Sequence, residues 1–292
     1  MQEKKWCGDF LRNDKHLYNG AFLSDIMRMI RKVGKYLMFY LSDPRHLFVS
    51  EKIGVTNDGL RLWCLRENYL ERTIMDTGAW EPIETDVVKR HVHSGCVAFD
   101  IGANIGYFTL LMSKLAGETG QVHCFEPTLY GFNRLKRNIE INPGLPSKNI
   151  ILNNKGLSSR CESTIESLES RFSSKVLAHN EKELIEFITL DRYVALAGLG
   201  RVDFIKIDVD GYDYEVVKGG AEIIKKYKPT IMAEICNRVL KERGVNVDLY
   251  LELYRETGYS TCKLLETGEI TALEEFIKDS RIQSGSWNVL LS

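Results

Sequence analysis

The chain has 292 residues, 39 Lys plus Arg against 40 Asp plus Glu, a formal net charge of −1, and 44% hydrophobic and 27% charged residues. These values suit a soluble globular protein with one sizeable domain and an extension, or two small domains. They leave no electrostatic footprint for nucleic acid. The seven cysteines are scattered singly with no C-x-x-C pair, which argues against a zinc or disulfide framework and for buried thiols in a reducing compartment.

The first residues, Met-Gln-Glu-Lys-Lys, lack the apolar core of a secretory signal, so a cytoplasmic location is expected. From Ala21 to Leu41, Phe22, Leu23, Ile26, Met27, Ile30, Val33, Leu37 and Tyr40 recur at helical spacing, with Arg28, Arg31, Lys32 and Lys35 on another side. Four basic residues rule out an ordinary membrane span. Two readings stay open: a helix packed on the main domain or a partner subunit, or a basic amphipathic helix on an anionic membrane surface. Asn57-Asp58-Gly59 signals a turn, and the alternating Leu60 to Leu65 a strand. After a break at Thr77 to Pro82, Ile83 to His93 predicts a helix. Trp80 and Glu81 could form a lid or substrate wall, or Trp80 could simply pack. The expected division is an N-terminal helical/β extension over 1–76 and a main domain over 77–292.

Val97-Ala98-Phe99-Asp100-Ile101-Gly102-Ala103-Asn104-Ile105-Gly106 is the stretch that organises the rest. An uninterrupted apolar run predicts a buried strand, and the glycines permit a tight turn into the helix over 107–114. The dinucleotide fingerprint G-x-G-x-x-G is broken because Asn104 stands where its second glycine would meet a pyrophosphate. Asp100 would repel phosphate but suits the ammonium of an amino-acid cofactor. Glu126-Pro127, with Glu126 twenty residues past Gly106, closes a second strand with a carboxylate suited to ribose hydroxyls. Ribose without pyrophosphate, joined to a charged amino acid, describes S-adenosylmethionine better than NAD. A helix over 129–141 and a third strand at 149–152 follow. The polar residues after it, Asn154 among them, could meet an adenine edge or form a plain loop. Residues 158–184 are rich in Ser and Glu and read as an excursion over the site or a surface insertion, and residues 186–191 as a strand entering a helix.

Phe204-Ile205-Lys206-Ile207-Asp208-Val209-Asp210-Gly211 predicts a buried strand ending in two acids, followed by a helix over 212–226. Thr230 to Ile235 is a fifth strand carrying Glu234. A helix over 248–257 and strands at 259–264 and 287–291 complete the chain, the last two pairing antiparallel with no apolar helix between them. Strands alternating with helices predict a mostly parallel sheet covered on both faces, with ligands outside the strands' carboxyl ends. Asp100, Glu126, Asp208, Asp210 and Glu234 all fall at such ends. Alternation points Asp208 and Asp210 to one side, where they could serve as a base, orient an acceptor, cap a helix or hold a divalent cation such as magnesium. His123, inside a strand, reads as a core residue.

In these motifs, taken with Ile188-Thr189-Leu190-Asp191 and Pro229-Thr230-Ile231-Met232-Ala233-Glu234-Ile235, the chain resembles the FkbM-type methyltransferases over about Trp80 to Ile235. One departure is Asp210, where that family usually has Glu. The resemblance implies an α/β, Rossmann-like seven-stranded sheet of the class I methyltransferase kind and S-adenosylmethionine as cofactor. It further implies Gly102, Asn104 and Gly106 at the methionine part, flanked by Asp100 and Ala103, with Glu126 and Pro127 at the ribose. The expected reaction is O-methylation of a hydroxyl on a sugar, glycan, glycolipid or secondary metabolite, with Asp208, Asp210 and Glu234 as candidate catalytic acids. A catalytically silent cofactor-binding scaffold and an NAD-dependent oxidoreductase or epimerase are the alternatives. The expected partner is a small-molecule or glycan acceptor; a homo-oligomer and peripheral membrane contact through residues 21–41 stay open.

Overall fold

The computed structural model describes residues 51–166, 183–283 and 285–292. The helix predicted over 21–41 and residues 167–182 of the Ser- and Glu-rich stretch lie outside them. The compact unit that contains the sheet begins at Glu51. Its first elements are strands β1 (Glu51–Val55) and β2 (Arg61–Leu65), an antiparallel hairpin turning at Asn57-Asp58-Gly59. Helix α1 (Tyr69–Thr77) follows, capped by the Asn68 side chain accepting from the Glu71 N–H and stopped by Gly78 in the left-handed region. The hairpin and α1 bury Leu60, Leu62, Cys64, Leu70 and Ile74 in the same core as the next two helices.

The alternating region runs α2 (Pro82–His91), β3 (Val97–Ile101), α3 (Tyr107–Ala116), β4 (Gln121–Phe125), α4 (Leu129–Glu140) and β5 (Ile150–Asn153). Then β6 (Gly156–Leu157), β7 (Glu162–Glu166) and β8 (Glu183–Ile188) form a separate three-stranded sheet in the order β6-β8-β7. Helix α5 (Leu190–Leu196), β9 (Phe204–Ile207), α6 (Asp213–Gly219), α7 (Ala221–Tyr227) and β10 (Thr230–Cys236) return to the main sheet. Helices α8 (Asn237–Glu242) and α9 (Val247–Glu256), strands β11 (Thr261–Leu264) and β12 (Ile270–Ala272), helix α10 (Leu273–Lys278) and strand β13 (Ser286–Leu291) complete it.

The main sheet has eight strands in the order β12-β11-β13-β10-β9-β3-β4-β5. Seven match the expected Rossmann-like arrangement; β12 adds an antiparallel edge that the expectation lacked. The five strands from β10 to β5 are parallel, and β13 pairs antiparallel with both β10 and β11. Two further expectations are corrected. The helix expected over 212–226 is broken into α6 and α7, where a Cβ on Gly219 would lie 2.1 Å from the Ser158 carbonyl and one on Gly220 2.7 Å from Leu190. An apolar helix does separate the last two strands, since α10 buries Leu273 and Phe276.

Strand alternation divides the core. Phe99, Ile101, Ile205 and Ile207 face α5, α6, α7 and α9, whereas Ala98, Phe204 and Met232 face α2 and α3. The outer edge of β2 is closed by side chains of α4 and of Asn142 just beyond it instead of another strand. Asn138 accepts from the Trp63 N–H at 2.7 Å and donates to the Ile105 carbonyl at 2.8 Å. Asn142 both accepts from and donates to the backbone of Arg61. Arg134 reaches the Trp63 carbonyl at 2.6 Å. Arg134 and Asn138 share one face of α4, Asn142 continues that line just past the helix end, and together they remove an open edge.

Candidate functional site

The chain leaves β3 for β4 and β5 on one side and later returns to β9 and β10 on the other, so the order reverses between β3 and β9. Such a switch point opens a crevice at the strands' carboxyl ends. The loop from Gly102 to Gly106 lies there, with the Gly102 and Ala103 N–H groups donating to the Phe125 carbonyl. Its glycines serve the protein's own packing. Gly102 has φ +87 and a Cβ would sit 1.9 Å from the Asp208 carbonyl oxygen; Gly106 has φ +94 and a Cβ would sit 2.3 Å from Leu135 Cδ1. Only glycine lets the β3 and β9 loops touch.

Beneath the loop, Asp100 and Lys206 are register partners on β3 and β9, both buried. Asp100 Oδ2 accepts from Thr109 Oγ1 of α3 at 2.5 Å, while its Oδ1 is buried without a hydrogen-bond partner. Burial raises the Asp100 carboxyl above its ordinary range, against the pull of Lys206. Lys206 Nζ lies 2.9 Å from Asp208 Oδ2 and 4.8 Å from the centre of the Phe108 ring. Burial disfavours the ammonium, but the Asp208, Asp100 and Glu81 carboxylates outweigh it and hold Lys206 charged. Asp100 therefore lies buried under the loop.

Glu126 caps β4. Its Oε2 accepts from the Asn104 N–H at 2.9 Å, and its Oε1 accepts from the Thr128 N–H at 2.9 Å and from Thr128 Oγ1. Asn104 itself is left-handed, with φ +48. A carboxylate has about four lone-pair sites, so one remains on Oε2. Burial raises this carboxyl, opposed by the Thr128 and Asn104 donors. A Cβ on Gly131 would lie 2.8 Å from the Glu126 carboxyl carbon, so α4 approaches it as closely as glycine allows. Asn154 donates to the carbonyls of Glu126 at 2.9 Å and Pro127 at 3.0 Å, fixing the turn from behind. Asn104, Glu126, Pro127 and Asn154 thus form one connected rim.

The acids after β9 and on β10 are arranged less simply than alternation predicts. The strand ends at Ile207, so Asp208 and Asp210 lie outside it, and Asp210 turns left-handed at φ +50. Asp208 is half-buried and paired with Lys206, Asp210 is exposed, and Glu234 is half-buried and accepts from Ser286 Oγ. Among the described residues no group of three or more His, Cys, Asp or Glu side chains is placed to hold a metal ion. The divalent-cation expectation for Asp208 and Asp210 is therefore unsupported: one acid is committed to a lysine and the other turns away from the strand. His123 is a core residue, stacked on Phe99 at 4.9 Å and bonded to the Tyr193 hydroxyl at 2.7 Å, with burial lowering its pKa to about 4.

The model of the methyltransferase FkbM domain matches residues 100–261. The chain belongs to that family. No curated protein matches it. Among solved structures, the FkbM methyltransferase of Methylobacillus flagellatus is 15% identical with a TM-score of 0.47, covering 68% of this chain and 44% of its own. The precorrin-6y C5,15-methyltransferase of Geobacter metallireducens is 12% identical with a TM-score of 0.43, covering 82% of this chain and 97% of its own. Aeropyrum pernix fibrillarin with bound S-adenosyl-L-methionine is 11% identical with a TM-score of 0.40, covering 72% and 74%.

In this FkbM-family methyltransferase the matched stretch begins at Asp100 and takes in the glycine loop, Glu126, the acids after β9 and Glu234 on β10. Trp80 and Glu81 lie upstream of it. Lys206 and Thr109, which organise the floor of the crevice, are absent from the residues singled out in the sequence. Lys206 had a visible signal: a lysine inside an otherwise apolar strand can be buried only beside carboxylates. No membrane-crossing helix, long and apolar enough, occurs among the described residues.

Proposed function

We propose that the protein is an S-adenosylmethionine-dependent O-methyltransferase acting on a hydroxyl of a small molecule or glycan. The observation that carries this reading is the Glu126 carboxylate at the end of β4, bonded to the Asn104 N–H of the glycine loop. The remaining lone pair on Oε2 suits a ribose hydroxyl, and Asn104 fills the place a pyrophosphate needs. The carboxylates of Glu81, Asp208 and Glu234 suit a cofactor that carries a sulfonium cation. The residues present fit the group. Gly102, Ala103, Asn104 and Gly106 would flank its methionine part, and Glu126, Pro127 and Asn154 its ribose and base. Bound, S-adenosylmethionine supplies an electrophilic methyl on a positively charged sulfur. The chain's own work is alignment of the acceptor oxygen, exclusion of water and removal of the hydroxyl proton. Asp208 and Glu234 stand at the strand ends to orient the acceptor.

Thermal unfolding with S-adenosylmethionine, S-adenosylhomocysteine or NAD tests this. A ligand at a hundred times its Kd adds about 2.7 kcal/mol. Stabilisation by both adenosyl compounds and not by NAD, reduced in Glu126→Gln, is expected. Stabilisation by NAD alone would overturn the reading.

A further inference from the structure

Four non-glycine residues among those described have positive φ: Glu81, Asn104, Asp210 and Lys228. Lys228 merely ends α7, where its N–H donates to Ile224. Asn104 and Asp210 belong to the two loops at the switch point. Glu81 is the remaining case. It stands at the N-terminus of α2 with φ +44 and makes no side-chain capping bond there, although an acid at that position would ordinarily cap the helix. Left-handed backbone is unfavourable for a non-glycine residue, and such outliers concentrate at functional sites.

Contacts on either side of Glu81 hold it in place. The Glu81 carbonyl accepts from the Thr85 N–H and the Trp80 carbonyl from Thr85 Oγ1, each at 2.8 Å. Thr85 Oγ1 also meets the Tyr107 hydroxyl at 3.1 Å, and Tyr107 opens the helix behind the glycine loop. Trp80 packs edge-to-face on Tyr69 at 5.9 Å. The Thr85–Tyr107 contact sets the start of α2 against the helix behind the glycine loop. The Glu81 carboxyl lies in the field of Lys206 on β9, Asp208 just after it, Glu234 on β10 and Glu84 on α2, and it is half-buried, with access to solvent.

We infer that Glu81 is the proton acceptor for the substrate hydroxyl in methyl transfer. The inference rests on the methyltransferase reading above. In the step, the hydroxyl proton passes to Glu81 as the acceptor oxygen bonds to the methyl carbon. The carbon–sulfur bond breaks with its electron pair kept by sulfur, leaving a neutral thioether, and the Glu81 proton is released to solvent. Asp208 serves less well as the base because Lys206 already holds it. Burial raises the Glu81 carboxyl to about 7, Lys206 opposing and Asp208, Glu84 and Glu234 reinforcing, which matches a base to neutral pH.

Carbon-13 NMR of the full chain, labelled at the glutamate carboxyls and saturated with S-adenosylhomocysteine, tests this without an acceptor. A resonance titrating near neutral pH and lost in Glu81→Gln is expected; Glu81 titrating in the ordinary carboxylate range would overturn the proposal. In the second measurement, labelled methyl transfer to a panel of methyl glycosides and phenols should fall about a hundred-fold or more in Glu81→Gln, with the affinity for S-adenosylhomocysteine unchanged. Glu81→Asp should recover part of the rate and serves also if the glutamine variant fails to fold. A glutamine variant within tenfold of the native rate would overturn the base role and leave the methyltransferase reading intact. Native protein that binds no S-adenosylhomocysteine would overturn that reading itself, and where no panel member is methylated the titration decides.

Discussion

Asp100 and Lys206 stand opposite each other across β3 and β9, both buried beneath α3, at the place where the strand order reverses. Lys206 pairs with Asp208 of the following loop at 2.9 Å, and its charge also opposes the rise of the Asp100 carboxyl, so it links the floor of the crevice to that loop. Removing the buried lysine would leave both carboxyls without their shared cation.

Lys206→Met should therefore destabilise the protein by about 3–5 kcal/mol, read as a lower midpoint in urea. Asp100→Asn should cost less, since Lys206 retains Asp208. The double variant should lose less than the sum of the single losses. Strictly additive losses would show that the two side chains do not depend on each other.

Gly102→Ala should be among the most damaging single-methyl additions. The new Cβ would lie 1.9 Å from backbone, which cannot swing aside, and the residue needs φ +87. A fall in melting temperature together with loss of S-adenosylhomocysteine binding is expected. Gly200→Ala is the contrast, since nothing lies within 4 Å of its Cβ position and its φ is not positive. It should gain about 0.4–1 kcal/mol through a less flexible unfolded chain.

How far the sequence disclosed this arrangement depends on the length of each signal. The apolar run into Asp100, the loop to Gly106 and the acid at Glu126 were legible because a buried parallel strand tolerates no polar interruption. Strand β12 spans only Ile270–Ala272, too short for any period to register. Strand β7 reads Glu-Ser-Thr-Ile-Glu and lacks an apolar face, so it looked like loop. Alternation misled at Asp208 and Asp210 because the strand stops one residue before the first of them. Pairings between distant elements, such as Lys206 with Asp208 and Asp100, depend on topology that residue spacing does not contain.

Asp213 should give a distinctive pH dependence. Burial raises its carboxyl from 3.8 to about 7, with Asp208 adding to the rise, and its Oδ1 is buried without a partner. A carboxyl raised on folding favours the folded state at low pH. Its contribution is complete below about pH 4 and is lost as pH rises through about 7. Asp213→Asn should thus match the native protein near pH 4 and exceed it by a few kcal/mol near pH 8. Equal stability at both pH values would refute the shift. The readout is the urea midpoint as a function of pH.

The stripe of α4 that closes β2 yields a prediction linking stability to binding. Asn138 holds the Trp63 N–H with one end of its amide and the Ile105 carbonyl with the other. Ile105 belongs to the glycine loop, so the hairpin and the proposed cofactor site share this one side chain. Among the described residues the Asn142 side chain, just past the helix, bonds the backbone of Arg61 and the Asn138 carbonyl, and not the glycine loop. Each truncation to alanine leaves backbone groups unpaired at about 1–3 kcal/mol. Asn138→Ala should in addition weaken S-adenosylhomocysteine binding, because the loop that carries the Asn104 N–H loses its anchor, whereas Asn142→Ala should leave affinity near the native value. Calorimetric titration of both variants distinguishes the two effects. Equal affinity in the two would mean that the loop keeps its shape without the hairpin, and that the bond between Asn104 and Glu126 is sufficient to hold it.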